Sequence, residues 1–105
     1  MPPSEEYVES VLSLVEQIPP GRVMSYGAIA DWVGRGGPRQ VGAVMALYGG
    51  GVAWWRVVRA DGTLPDSHTG RAREAYLEEG TPMRGALADR PRVDIRRAAW
   101  FPDAS

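Results

Sequence analysis

Cysteine is absent from the 105 residues. Disulfides, thiolate nucleophiles and cysteine-held metals are excluded together. The absence suits a reducing compartment better than a small secreted domain. Lysine is absent too, and all 12 basic residues are arginine. A genome rich in G and C produces that bias, but arginine also suits phosphate forks and base stacking better than lysine does. The single histidine, His68, cannot build a zinc site alone. No metal or cofactor is therefore expected. No apolar run nears the ~20 residues that cross a bilayer. The start, Met1-Pro2-Pro3-Ser4-Glu5-Glu6, is acidic and lacks an apolar export core. These absences point to a cytoplasmic monomer, one domain over residues 1–105 with a small core.

Net charge, −1, does not advertise a nucleic-acid binder, but its distribution does. Residues 1–20 hold four acids and no base. Residues 21–59 hold five arginines and only Asp31, a block of +4. Phosphate contact needs such a local positive field, whatever the total.

Ser4 can cap a first helix, with Glu5 and Glu6 well placed in its first turn. Val8, Val11, Leu12, Val15 and Ile18 form its apolar face, and Pro19-Pro20-Gly21 ends it. Ser25 reads as the cap of a second helix, Tyr26 to about Val33, with Gly34 as its stop. Ala28, Ile29 and Trp32 can face the first helix. Gly36-Gly37 turns into a third helix with Pro38 at its favoured first position. Helix, short turn, helix is the helix-turn-helix arrangement. On the third helix Val41, Val44, Met45 and Tyr48 make the buried face. Gly42, Ala43 and Ala46 leave another face bare. That face either permits close helix packing or suits a minor groove about 6 Å wide.

Val52-Ala53-Trp54-Trp55-Arg56-Val57-Val58-Arg59 follows the glycine run 49–51 and reads as the central strand. Side chains alternate along a strand, so Trp54 and Trp55 are expected on opposite faces. Both can be core residues, or one can line a pocket. The turn at Asp61-Gly62 begins a wing. Residues 70–80 read as a last helix closed by Gly80, and Thr81-Pro82-Met83 begins a tail strand. Arg92-Val93-Asp94-Ile95-Arg96 alternates like a half-buried edge strand. Trp100-Phe101-Pro102 is expected to close the core. The fold class is mainly α with a small β wing, a winged helix-turn-helix.

Three motifs in order, Ser25-Tyr26-Gly27-Ala28-Ile29-Ala30, Arg39-Gln40-Val41-Gly42-Ala43-Val44-Met45 and Arg56-Val57-Val58, resemble the DNA-binding C-terminal domain of the O6-alkylguanine-DNA alkyltransferases. The resemblance runs from about Tyr7 to Trp100-Phe101-Pro102. In that family the strand reads Pro-Cys-His-Arg-Val, and its cysteine takes the alkyl group. The matching residues are Ala53, Trp54, Trp55, Arg56 and Val57. Tryptophan at the cysteine position marks the alkyltransferase-like branch, which binds alkylated guanine without transferring anything.

The resemblance implies binding of duplex DNA containing O6-alkylguanine, with no enzymatic activity. The third helix would enter the minor groove through Gly42 and Ala43. Tyr26 would crowd the lesion's phosphate and turn the nucleotide outward. Arg39 would fill the gap left in the stack. Tyr26, Trp54 and Val57 would form the lesion pocket, the base being read largely by backbone groups of Trp54 and Val57. Trp55, Arg56, Ser67, His68 and Arg71 would lie beside it, and Arg71 or Arg73 would supply a cation stacking on guanine. The resemblance further implies handover to nucleotide excision repair. The family's asparagine–proline hinge is missing between Ala46 and Gly51. The loop at residues 65–70 is short, and Ala53 replaces the family's proline.

From the residues alone Tyr26 can equally be a half-buried packing tyrosine and Arg39 a solvated surface charge. A winged-helix regulator without lesion preference would need base-reading side chains on the third helix, which the bare face does not supply. A scaffold that has lost DNA would not need both Tyr26 and Arg39.

Overall fold

The structure, a computed structural model, describes residues 3–63, 69–85 and 92–102, with backbone alone at Thr69. The expectations for the loop carrying Ser67 and His68 lie outside the described residues.

Helix α1, Glu5–Gln17, starts where the Ser4 side chain accepts the Tyr7 N–H at 3.2 Å. Its core face is wider than expected, since Tyr7, Val11, Leu14 and Val15 are buried while Val8 and Leu12 pack from the flank. Strand β1, Met24–Ser25, leads directly into helix α2, Tyr26–Val33. The Ser25 hydroxyl accepts the Ala28 N–H at 3.0 Å. Gly34 stops α2 at φ 82°, a left-handed conformation that costs glycine little. Helix α3, Pro38–Tyr48, completes the helix-turn-helix.

Trp32 and Tyr48 are both 48% exposed, contrary to expectation. The eight-residue α2 turns Ile29 and Ala30 inward, and Tyr48 is the last residue of α3, past the buried Val41 and Val44.

The extended reading of residues 52–59 is corrected. The glycines Gly49–Gly51 and the tryptophan segment Trp54–Arg56 are each one turn of 3₁₀ helix, and only Val57–Val58 forms strand β2. β2 pairs in parallel with β1, Met24 opposite Val57 and Ser25 opposite Val58. A partner two residues long holds only two residues extended. Upstream the chain curls through the bonds Arg56 N–H to Ala53 O, at 3.0 Å, and Val57 N–H to Trp54 O.

The wing turn follows β2. Asp61 Oδ1 accepts from Thr63 N–H at 3.0 Å and from the Thr63 hydroxyl at 2.7 Å. A Cβ on Gly62 would stand 2.2 Å from the Val93 carbonyl oxygen, so only glycine lets the turn approach that strand. Helix α4 is Thr69–Glu79. Strands β3, Met83–Arg84, and β4, Arg92–Val93, pair antiparallel, and Thr63 bridges Arg92.

The expected edge strand ends early, because helix α5 begins at Ile95 and runs to Ala98. The Asp94 N–H still bonds Pro82 O, but the Asp94 carbonyl accepts from Arg97 and Ala98 and starts the helix. The tail returns to the other side of β1, with Trp100 N–H on Val23 O at 2.9 Å. Trp100 packs against the core, whereas Phe101 stays exposed.

The core has two parts. One joins α1, α2, α3, Met24 and Val57; the other joins Val23, Val58, Ala72, Tyr76, Val93 and Ala98. The β1–β2 pair lies between them, so the start of α2 and the end of the tryptophan turn are held side by side.

Candidate DNA-lesion site

Trp54 and Trp55 do not point to opposite faces. One residue of 3₁₀ helix rotates the side chain by about 120°, and the two rings meet edge to face, centroids 5.6 Å apart at 83°. Both are half-buried against the second core cluster.

Glu79, at the end of α4, fastens this turn. Its carboxylate accepts the Trp55 indole N–H at 2.9 Å and the Arg56 Nε and Nη2 groups at 3.1 and 2.6 Å. It also accepts the Gly21 N–H at 3.0 Å. Arg56 Nη1 reaches the Ile18 carbonyl at 2.8 Å, and its guanidinium lies 5.6 Å from the Trp55 ring centroid. Burial alone would push the Glu79 carboxyl up. The hydrogen bonds from Arg56, Gly21 and Trp55, with the Arg56 charge, outweigh that and hold it below the usual carboxylate range.

Tyr76 donates its hydroxyl to the Trp55 carbonyl. Burial, with Tyr26 and Glu79 nearby, pushes its hydroxyl well above the ordinary tyrosine value, so it stays a donor. Tyr26 itself is half-buried at the start of α2; burial raises its pKa and the Arg59 charge partly offsets this. Tyr26, Tyr76 and the tryptophan turn therefore share one neighbourhood.

Trp54, Trp55, Arg71, Glu74, Ala75 and Glu78 line an open cleft of about 190 Å³. Of the two arginines considered for stacking, Arg71 faces this cleft and Arg73 is not part of its lining. Val57, expected in the lesion pocket through its backbone, is fully buried as a whole residue, and its N–H is bonded to the Trp54 carbonyl, so it is not presented to a ligand.

Arg39 is exposed in the first turn of α3. Ala43 is exposed as well, and a Cβ at Gly42 would meet nothing within 4 Å. Close helix packing therefore does not account for Gly42. α2 and α3 meet near Gly27, where an added Cβ would make an ordinary van der Waals contact with Pro38 at 3.7 Å.

Sequence reasoning missed Glu79 and Tyr76. A signal was present for the first. Glu78 and Glu79 precede Gly80 at a helix C-terminus, where the macrodipole disfavours negative charge, so a specific cation was called for. Among the described residues no group of three or more metal-binding side chains comes together, and no helix is long and apolar enough to cross a membrane.

A winged helix-turn-helix with a smooth-faced third helix and a tryptophan-lined cleft belongs to the DNA-binding class. The chain is a member of the family described as 6-O-methylguanine DNA methyltransferase, DNA binding domain, which it matches over residues 6–80. It is 34% identical to the DNA base-flipping protein of Escherichia coli, over 95% of this chain and 78% of that protein. Its fold is similar to that of S. pombe Atl1 in complex with damaged DNA containing O6-carboxymethylguanine. That match has a TM-score of 0.80 and 28% identity, over 95% of this chain and 99% of Atl1. It is also similar to the Mycobacterium tuberculosis O6-methylguanine methyltransferase, at TM-score 0.62 and 30% identity over 73% of this chain and 50% of that one.

Proposed function

We propose that this protein binds duplex DNA containing O6-alkylguanine, turns the lesion nucleotide out of the stack and holds it without chemistry. The observation that carries the reading is the tryptophan turn. Where the family has its nucleophile and base stand two indoles, one held edge-on to the other and tied to Glu79. Indole offers neither a nucleophilic atom nor a useful basic nitrogen. It does offer an aromatic surface, and base–aromatic contact contributes ~1–3 kcal/mol.

In this reading α3 enters the minor groove along Gly42 and Ala43, whose outer face is open. Arg39 occupies the gap in the stack. Tyr26 acts on the phosphate, and the base sits over Trp54 with Arg71 beside it. Flipping costs a few kcal/mol, less where pairing is already weakened by alkylation. Trp55 and Arg56 position the turn. The relatives support the reading, one being named for base flipping and Atl1 having been seen on alkylated DNA. We further propose that the chain acts as a monomer and a single domain on nucleoid DNA in the cytoplasm. Because no product forms, it marks damage for another pathway, nucleotide excision repair.

The test compares binding to one short duplex with and without a single O6-methylguanine at fixed salt. Preference for the modified duplex, with the alkyl group still on the DNA, is expected. Equal binding to both would reduce the protein to a winged-helix DNA binder without lesion preference.

A further inference from the structure

A second cleft, of about 260 Å³, opens beyond the wing turn, lined among others by Ala60, Asp61, Arg84, Arg92, Asp94 and Arg96. Its arginines are placed by pairing. In the β3–β4 ribbon Arg84 stands directly opposite Arg92, and both are exposed. Directly opposed residues share a face, and like charges so placed destabilise the pair. Arg96, from the first turn of α5, adds a third guanidinium. Among the described residues no side-chain hydrogen bond or salt bridge engages any of the three. Two carboxylates share the cleft, Asp61, which feels the Arg92 charge and accepts from Thr63 through Oδ1, and Asp94, so three guanidinium groups face two carboxylates and the formal balance stays positive. Three forked donors lining one cleft, none held by a side-chain hydrogen bond or salt bridge among the described residues, suit an anion with several oxygens.

A chain of contacts links the cleft to Tyr26 at the proposed lesion site. Tyr26 lies in the field of Arg59. The Arg59 N–H bonds the Thr63 carbonyl at 3.3 Å, and Thr63 bridges Arg92. One line of wing residues thus runs from the lesion site to the arginine ribbon. β3, β4 and α5 all lie past residue 80, where the family match ends.

We propose that the Arg84–Arg92–Arg96 cleft holds a phosphate of the DNA backbone, a second anchor on the duplex separate from the lesion cleft. The inference rests on the DNA-binding reading above. It concerns affinity and register, since phosphate contacts position a protein without reading sequence.

The experiment measures affinity for one duplex, with and without O6-methylguanine, across a series of sodium chloride concentrations. Variants are Arg84→Gln with Arg92→Gln, Arg84→Lys with Arg92→Lys, and Arg96→Gln. Each lost phosphate contact should make the log K against log salt slope shallower by about 0.9. The double Gln variant should show that change on both duplexes, weaken both by a similar factor and keep the ratio between them. The double Lys variant should keep the wild-type slope. An unchanged slope in the double Gln variant would overturn the proposal, and is the result expected if the cleft serves an acidic protein surface instead. Should that variant fail to fold by circular dichroism, Arg96→Gln, outside the ribbon pairing, carries the same readout, and an unchanged slope there overturns the proposal equally. Loss of lesion preference in the wild type would sink the lesion reading while the slope still reports on the cleft.

Discussion

The Trp55 indole N–H donates to Glu79 Oε2 at 2.9 Å, joining two residues 24 apart in the chain. The same carboxylate holds Arg56 and Gly21, so one side chain joins the tryptophan turn, the end of α4 and the turn after α1. Glu79 is a positioning residue. It holds the turn that presents Trp54 and has no direct contact with the proposed base.

Its contribution should depend on pH. The folded-state pKa of Glu79 lies below the ordinary carboxyl value of about 4.3. The stabilisation is therefore fully present above that value and is lost as pH falls through the folded value. Glu79→Gln should be less stable near neutrality by about 1.5–3 kcal/mol, the worth of a hydrogen bond to a charged group. The gap from wild type should narrow as pH drops below about 4.3. Denaturant midpoints across that range measure it. A gap that stays constant with pH would show that the carboxylate charge is not what matters.

Gly42→Leu separates fold from groove entry. A side chain at Gly42 meets nothing, and replacing a helical glycine contributes about 0.5–1 kcal/mol. The melting temperature should hold or rise while affinity for lesion DNA drops at least tenfold, about 1.4 kcal/mol. Undiminished binding would remove this face of α3 from the groove.

Arg39→Ala should weaken lesion binding by more than one phosphate contact, and Arg39→Lys should not restore it, because lysine keeps the charge without the planar stacking surface. Full recovery by lysine would reduce Arg39 to an electrostatic role.

Tyr26→Ala should leave overall DNA binding weaker and base extrusion weaker still. A fluorescent base placed next to the lesion reports it. An unchanged fluorescence increase on binding would return Tyr26 to a packing role.

Trp54→Cys alone should transfer no alkyl group from O6-methylguanine DNA. The new thiol would have no base beside it, since the Trp55 nitrogen carries a proton donated to Glu79. Rapid methylation of the cysteine, seen by mass spectrometry, would show that the base comes from elsewhere.

The helix-turn-helix was legible because its signals are local. Ser4, Ser25 and Pro38 start helices by satisfying or lacking N–H groups within three residues, and Gly34 stops one by its φ. The wing turn was equally legible in Asp61-Gly62, and the bare face in Gly42-Ala43. The exposure of Trp32 and Tyr48 was not, because apolarity states a preference for the interior, while the inward arc of a two-turn helix has few places. The tryptophan segment differs from its expected strand because β-branched neighbours suggest extension, and only the short β1 partner limits how far the strand extends.

The sequence by itself determined the order of helices, their caps, the arginine-rich centre and the adjacent pair of tryptophans, since each is written in adjacent residues or in composition. Only the tertiary structure decided that Trp54 and Trp55 meet edge to face, that Glu79 anchors them, that Arg71 lines their cleft and that Arg84 opposes Arg92. Those relationships depend on parallel pairing of β1 with β2 across two helices and on strand register. Both are set by which distant surfaces bury together, a choice the whole core makes at once.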